Sequence, residues 1–191
     1  MKPRHLSVLT VLVAAWSILS PDSVAAQSSQ PFVPTEFEVP EGIETSRFVL
    51  RMLTVNDVVK DYDAVMTSVD HLRGVFGPHS KWPSADLSLE QDLIDLGWHQ
   101  KEFQRRRSFA YTVMNPSESE CLGCIYLVPT RKHGYDAATY LWVRKSEFDK
   151  GLDPILFQAV KKWIKETWPF KKTAYPGRDV DWKAWQEIPS E

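Results

Sequence analysis

The sequence predicts one α/β domain standing behind an export segment. Three observations carry this. The 191 residues, 43% hydrophobic and 25% charged, suit a single globular domain and leave little room for a second. Hydrophobic spacing alternates between strand and helix periods in the order β-α-α-β-β-β-α-β, followed by an irregular tail. The first 26 residues have a different composition from the rest. A net charge of −2 gives no bulk reason to expect a nucleic-acid partner. Seven of the eight tryptophans lie beyond residue 26 and point to an aromatic-rich core or cleft.

Lys2 and Arg4 precede a 14-residue run, Leu6 to Leu19, with 11 apolar members; Pro21 ends it. Val24-Ala25-Ala26 places small residues at the −3 and −1 positions of a cleavage site before Gln27. The run is shorter than the roughly 18–20 residues that span a membrane. Residues 1–26 are therefore expected to be a cleaved signal, giving a secreted or periplasmic protein with no stable membrane span. An uncleaved chain would be cytoplasmic or anchored at its N-terminus. Residues 27–42, with Ser28, Ser29, Pro31, Pro34 and Pro40, show no hydrophobic period and read as an extended linker. The domain is expected over residues 43–191.

Within it, Arg47 to Leu53 alternates as a half-buried strand does. Thr54 and Asp57 form an acidic capping box for a helix whose apolar positions run from Val55 to Leu72. Gly74 to Asp86 holds two glycines and two prolines and reads as a loop. Ser88 and Gln91 open a second helix, with Leu89, Leu93, Leu96, Trp98 and Phe103 as its buried face and three arginines, 105–107, at its dipole-favoured end. Three strands follow over residues 108–114, 121–128 and 137–144. Asp153-Pro154 reads as an N-cap with proline in the first turn. Leu156, Val160, Trp163, Ile164 and Trp168 face the core, and residues 170–175 suit a last strand.

Cys121 and Cys124 sit in a strand pattern, where residues three apart point to opposite faces about 10 Å from each other, beyond the roughly 7 Å limit for a bridge. They are expected to stay unbridged, so thiol redox chemistry is the weakest of the functional readings. None of the five histidines pairs with another at ligand spacing. Asp95, His99 and Glu102 share a helical stripe, read as a solvated charge cluster opposite the leucines, and no metal is expected. No G-x-S-x-G elbow is present to anchor a serine nucleophile.

The most informative stretch is Tyr140 to Trp163, where a strand passes through a short turn with one glycine into a helix. Such a turn aims free N–H groups and the helix dipole at one place, suited to phosphate, and Arg144, Lys145 and Lys150 add positive charge. The element order, the opening strand R-F-V-L-R-M-L-T-V-N-D, the G-C-I-Y strand and the Y-L-W-V-R…K-G-L-D…L turn together resemble the GNAT N-acetyltransferase superfamily over roughly residues 44–175. The resemblance implies a three-layer domain with a mixed, mostly antiparallel central sheet and helices on both faces. It also implies acyl transfer from acetyl-CoA to an amine of a small molecule or peptide. The donor would lie along Leu141, Trp142, Val143 and Arg144, with its pyrophosphate on the turn at Lys150, Gly151 and Leu152. Of the signature R/Q-x-x-G-x-G/A only Gly151 is present; Phe148 and Asp153 occupy the first and last positions. The Gly74 to Asp86 loop stands where the family builds its acceptor pocket, with Phe76, His79 and Trp82 as candidate contacts. The C-terminal half is shortened, which leaves Tyr175 as the nearest candidate general acid. The competing reading is an exported binding module that keeps the fold without the catalysis.

Overall fold

The computed structural model describes residues 31–190. The expected signal, residues 1–26, lies outside them. No helix among the described residues is long and apolar enough to cross a membrane.

Six strands form one sheet in sequence order: β1 (Gly42–Glu44), β2 (Val49–Met52), β3 (Phe109–Met114), β4 (Cys121–Pro129), β5 (Ala137–Val143) and β6 (Thr173–Ala174). Neighbours pair antiparallel until β6, which runs parallel to β5 and touches it only through Ala137↔Thr173 and Ala138↔Ala174. The helical connection between β5 and β6 is what makes a parallel pair possible. This is the mixed, mostly antiparallel sheet that the family resemblance implies.

Strand alternation divides the core into two layers. Leu50, Phe109, Tyr111, Val113, Ile125, Leu127, Leu141 and Val143 face α5 (Leu152–Thr167), which returns Leu152, Leu156, Val160, Trp163 and Ile164 at helical spacing. Ala110, Met114, Cys124, Tyr126 and Trp142 face the opposite side, covered by α1 (Val58–Met66) and α3 (Leu89–Gln104). The capping box at Thr54 and Asp57 is formed, with the Asp57 carboxylate also gripped by Arg51. The first helix is less continuous than expected: a 3-10 turn (Val55–Asp57) and α1 are followed by a break at Thr67-Ser68, then by the short α2 (Val69–Leu72). The break releases the Ser68 hydroxyl to accept the amide of Lys145.

Residues 31–42 are held against the domain. Val33 is buried, Phe32 stacks on Phe170, Phe37 packs on Trp168, and the Tyr111 hydroxyl donates to the carbonyl of Pro40. Prolines hold residues 31–41 out of helix and sheet, so their apolar side chains dock singly and leave no period to read, while β1 already begins at Gly42, the last residue of the expected linker. The C-terminal region also departs from expectation. α4 (Lys145–Phe148) follows β5, and α5 starts after Gly151, whose φ of +75° suits glycine. Asp153 is thereby the second residue of the helix and not its cap. The tail carries a further helix, α6 (Trp182–Glu187), capped by the Asp181 carboxylate.

A bulge resets the thiols. Met114 pairs with Cys121 while Val113 pairs with Gly123, so Leu122 is an extra residue in β4. Cys121 and Cys124 consequently share the α1 face, against the expectation of opposite faces; both are free and fully buried. A Cβ on Gly123 would lie 2.0 Å from the carbonyl oxygen of Trp142, so only glycine permits the close approach of β4 and β5 here.

Candidate active site

α3 presents an unexpected face to the sheet. Leu89, Leu93, Ile94 and Trp98 are exposed, whereas Asp92, Leu96 and Glu102 are buried. Asp92, Asp95, Leu96 and His99, spaced i, i+3, i+4 and i+7, turn inward. Asp95 and His99, two of the three charges read as a solvated cluster, therefore join Asp92 in the roof of a cavity of about 390 Å³ between α3 and the sheet, while Glu102 lies outside it. Phe76, Trp82, Trp98, Tyr126 and Tyr140 supply its aromatic walls, and Asp61 of α1 reaches it from the side. The rings support one another: Phe76 meets Trp82 at 4.9 Å and Tyr126 at 5.4 Å, and His99 meets Tyr126 at 4.9 Å. Tyr126 is fixed by the indole N–H of Trp142, which donates to its hydroxyl.

The electrostatics of this cavity are lopsided. Asp92 is only 4% exposed, and its Oδ2 has no hydrogen-bond partner among the described residues. Burial, reinforced by the nearby charges of Asp61 and Asp95, pushes its carboxyl up to about 7. Burial likewise pushes Asp61 up to about 6 and His99 down to about 4, so the imidazole is neutral at neutral pH. Carboxylates ringed by aromatic faces suit a cation: each ring attracts one within about 6 Å of its centre, and an unpartnered buried oxygen supplies the acceptor.

A second cavity, about 280 Å³, occupies the wedge where β5 runs on after β6 has ended. The free edge of β5, Tyr140 to Val143, forms one wall; the other is made by residues 71–75 and by Pro176, Gly177, Arg178 and Trp182. Tyr140 lines both cavities, which makes them neighbours across that residue. Trp182 lies parallel to Tyr140 at 6.1 Å and closes on Gly177. Within the wedge the Arg178 guanidinium is held in a two-pronged pair by Asp153 and reaches the Leu141 carbonyl, while His71 Nε2 lies 3.2 Å from the Val143 carbonyl.

The expected site residues are thus distributed unevenly. Leu141, Trp142 and Val143 line the wedge, and Phe76 and Trp82 line the aromatic cavity. His79 is exposed and lines neither. Arg144 is turned to the α1 side, where its guanidinium pairs with Glu120 and Asp63. Lys150 is exposed beside Gly151 and paired with Glu147, and Leu152 is packed in the core under α5. Tyr175 is packed against Phe157 in that same layer, away from both cavities, and burial pushes its phenol up. Sequence reasoning missed Asp61, Asp92 and Tyr126. The i, i+3, i+4, i+7 spacing of Asp92, Asp95, Leu96 and His99 was the available signal, masked by the competing apolar positions Leu89, Leu93, Trp98 and Phe103 of the same helix.

No family model and no curated protein matches the sequence. Solved structures do. A ribosomal-protein-S5-alanine acetyltransferase from Vibrio fischeri superposes with a TM-score of 0.53 at 15% identity, over 66% of this chain and 67% of that one. The microcin C7 self-immunity acetyltransferase, in complex with acetyl-CoA and AMP, gives 0.51 at 14% identity over 67% of each chain. A ribosomal L7/L12 alpha-N-protein acetyltransferase in complex with coenzyme A gives 0.51 at 16% identity over 66% of each. With its mixed six-stranded sheet, parted β5 and β6 and helices on both faces, the chain has the fold of the GNAT acetyltransferases.

Proposed function

We propose that this chain is an acyl-CoA-dependent N-acyltransferase acting on an amine carried by an apolar or aromatic body. The observation that carries the reading is the adjacency of two unlike cavities across Tyr140: an acidic, aromatic one suited to an ammonium group and a strand-edge wedge suited to an extended thioester. The similar structures solved with acetyl-CoA and with coenzyme A support the donor class. In this scheme the ammonium group enters beside Asp92, whose ionised carboxylate takes its proton. The neutral nitrogen attacks the thioester carbonyl carbon, whose oxygen gains charge and is met by an amide N–H of the β5 edge. The C–S bond then breaks; the thiolate leaves with its electron pair, and the second proton shed by the nitrogen passes through water to the departing sulfur, leaving amide and free thiol. Holding both reactants at one wall supplies much of the acceleration. The donor is a substrate here, and its diphosphate would meet Gly151, Lys150 and the first turn of α5.

The binding-module reading has its own support. Arg178 and His71 already engage the Leu141 and Val143 carbonyls that a pantetheine arm would use. Acetyl-CoA and a panel of aromatic and aliphatic primary amines, tested separately by thermal shift and together for release of free thiol, divide the two. Saturation at 100 times the dissociation constant raises stability by about 2.7 kcal/mol. Shifts with both ligands and thiol release with an amine support the enzyme. A shift with amines alone supports the binding module, and no shift with either overturns both. Export remains part of the proposal, resting on Lys2, Arg4, the 14-residue apolar run and the Val24-Ala25-Ala26 site. Its check is a mature N-terminus at Gln27.

A further inference from the structure

Beside the aromatic cavity lies a second group of reactive side chains that acyl transfer does not use. Asp61 of α1 and Cys121 and Cys124 of β4 are all buried, and their donor atoms lie within 4.8 Å of one another. Both sulfurs converge on one oxygen, Asp61 Oδ1, at 3.1 Å from Cys124 and 3.9 Å from Cys121. The convergence is built by the bulge at Leu122; an unbroken strand would send one thiol to the α5 side. No lysine or arginine neutralises Asp61 among the described residues, and weak thiol donors offset little of the cost of burying a carboxylate.

We propose that Asp61, Cys121 and Cys124 form a zinc(II) site with its fourth position toward the cavity that Asp61 lines. Tetrahedral zinc, with bonds of about 2.3 Å to sulfur and about 2.0 Å to oxygen, sets sulfur and oxygen about 3.5 Å apart. The two observed separations straddle that value, and the two sulfurs lie within 4.8 Å of each other. Two sulfurs disfavour calcium and magnesium, which take oxygen ligands, while two thiolates and a carboxylate suit zinc. Each thiol gives its proton to solvent as its metal–sulfur bond forms, leaving two thiolates and one carboxylate around the divalent ion. The Thr112 hydroxyl lies between Met114 Sδ at 3.3 Å and Cys121 Sγ at 3.6 Å, and can turn its one proton to a Cys121 thiolate when the metal binds. The aromatic cavity supplies an approach to Asp61. This site stands whether or not the protein transfers acyl groups.

The test uses the untagged, reduced, chelator-treated protein, titrated with cobalt(II) and then zinc(II), in the native state and again during refolding from denaturant. The expected result is one equivalent of cobalt with a thiolate-to-metal charge-transfer band and tetrahedral ligand-field bands, both lost as zinc replaces it. Asp61→Asn, Cys121→Ser and Cys124→Ser should each bind weaker by about tenfold or more. The wild-type spectrum decides the thiolate ligands even where a variant folds poorly. Absence of binding by both routes, bound cobalt without charge transfer, or undiminished binding in the folded variants overturns the proposal. So does a Cys121–Cys124 disulfide that persists in non-reduced protein with zinc present.

Discussion

Helices α3 and α5 are both 16 residues long and cover opposite faces of one sheet, yet they follow opposite rules. α5 turns five apolar residues inward and leaves its lysines in water, as an amphipathic helix should. α3 leaves Leu89, Leu93 and Ile94 exposed and buries Asp92, a carboxylate with an oxygen that nothing among the described residues satisfies. The α5 face stabilises the fold by burial alone. The α3 face forgoes some of that burial, and what it retains is a cavity whose acidic and aromatic lining is chemically suited to a cation. A helix packed against its own pattern marks where packing gives way to binding.

The comparison breaks most sharply if the α5 layer is damaged. Trp163→Ala removes an indole that meets Tyr111 and Trp168, and should lower unfolding free energy by about 3–5 kcal/mol in urea denaturation. Amine affinity of the remaining folded protein should be unchanged; a specific loss of affinity would mean that the two layers are coupled.

Asp92→Asn should do the reverse. The expected loss in kcat/KM is about 100-fold or more, the usual contribution of a general base, with acetyl-CoA binding intact. In the wild type, kcat/KM should rise with pH through about 7 as the Asp92 carboxyl ionises, and the asparagine variant should lack that limb. The sign for stability is opposite. A carboxyl at about 7 in the folded state and 3.8 when unfolded costs stability progressively as pH rises between those values. The variant should therefore gain melting temperature over wild type at pH 8 and little at pH 4, read by calorimetry. A variant less stable than wild type at pH 8 would show that Asp92 has an internal partner after all.

The smallest effect is the sharpest contrast. Leu93→Gln should change stability by no more than about 0.5 kcal/mol, because Leu93 is already 43% exposed. By the ordinary reading of an amphipathic helix the same change would cost several times more. A large loss in the monomer would show that the α3 leucines bury surface after all.

Much of the architecture was legible because local patterns determine it. Strand alternation over residues 109–114 and 137–143, the Thr54–Asp57 box, the Ser88 cap and the apolar stripe of α5 each depend on neighbours within a few residues. The wedge was legible in part: Leu141, Trp142 and Val143 line it, but the commitment of Arg144 to Asp63 and Glu120 involves residues 81 and 24 positions away and leaves no local trace. Phe76 and Trp82 were legible as loop aromatics near a cleft, whereas the cavity they complete depends on how α3 is rotated.

The sequence by itself determined the order of the long strands and helices from β2 to β6, because their hydrophobic periods are set by residues close in the chain, whereas the short β1, α4 and α6 left no such period. It also determined which side of α5 meets that sheet, since five large apolar residues on one stripe can bury only one way. Tertiary structure alone decided the rotation of α3, the bulge that turns two thiols toward Asp61, and the docking of the residues before β1 against β3 and the chain just after α5. Each of these is a choice between faces that local spacing leaves nearly balanced. The balance is tipped by contacts from distant parts of the chain: Gln100 accepting the amide of Val55, Thr112 beside Cys121, and Phe32 on Phe170. Such contacts carry their energy across tens of residues, and no period in the sequence records them.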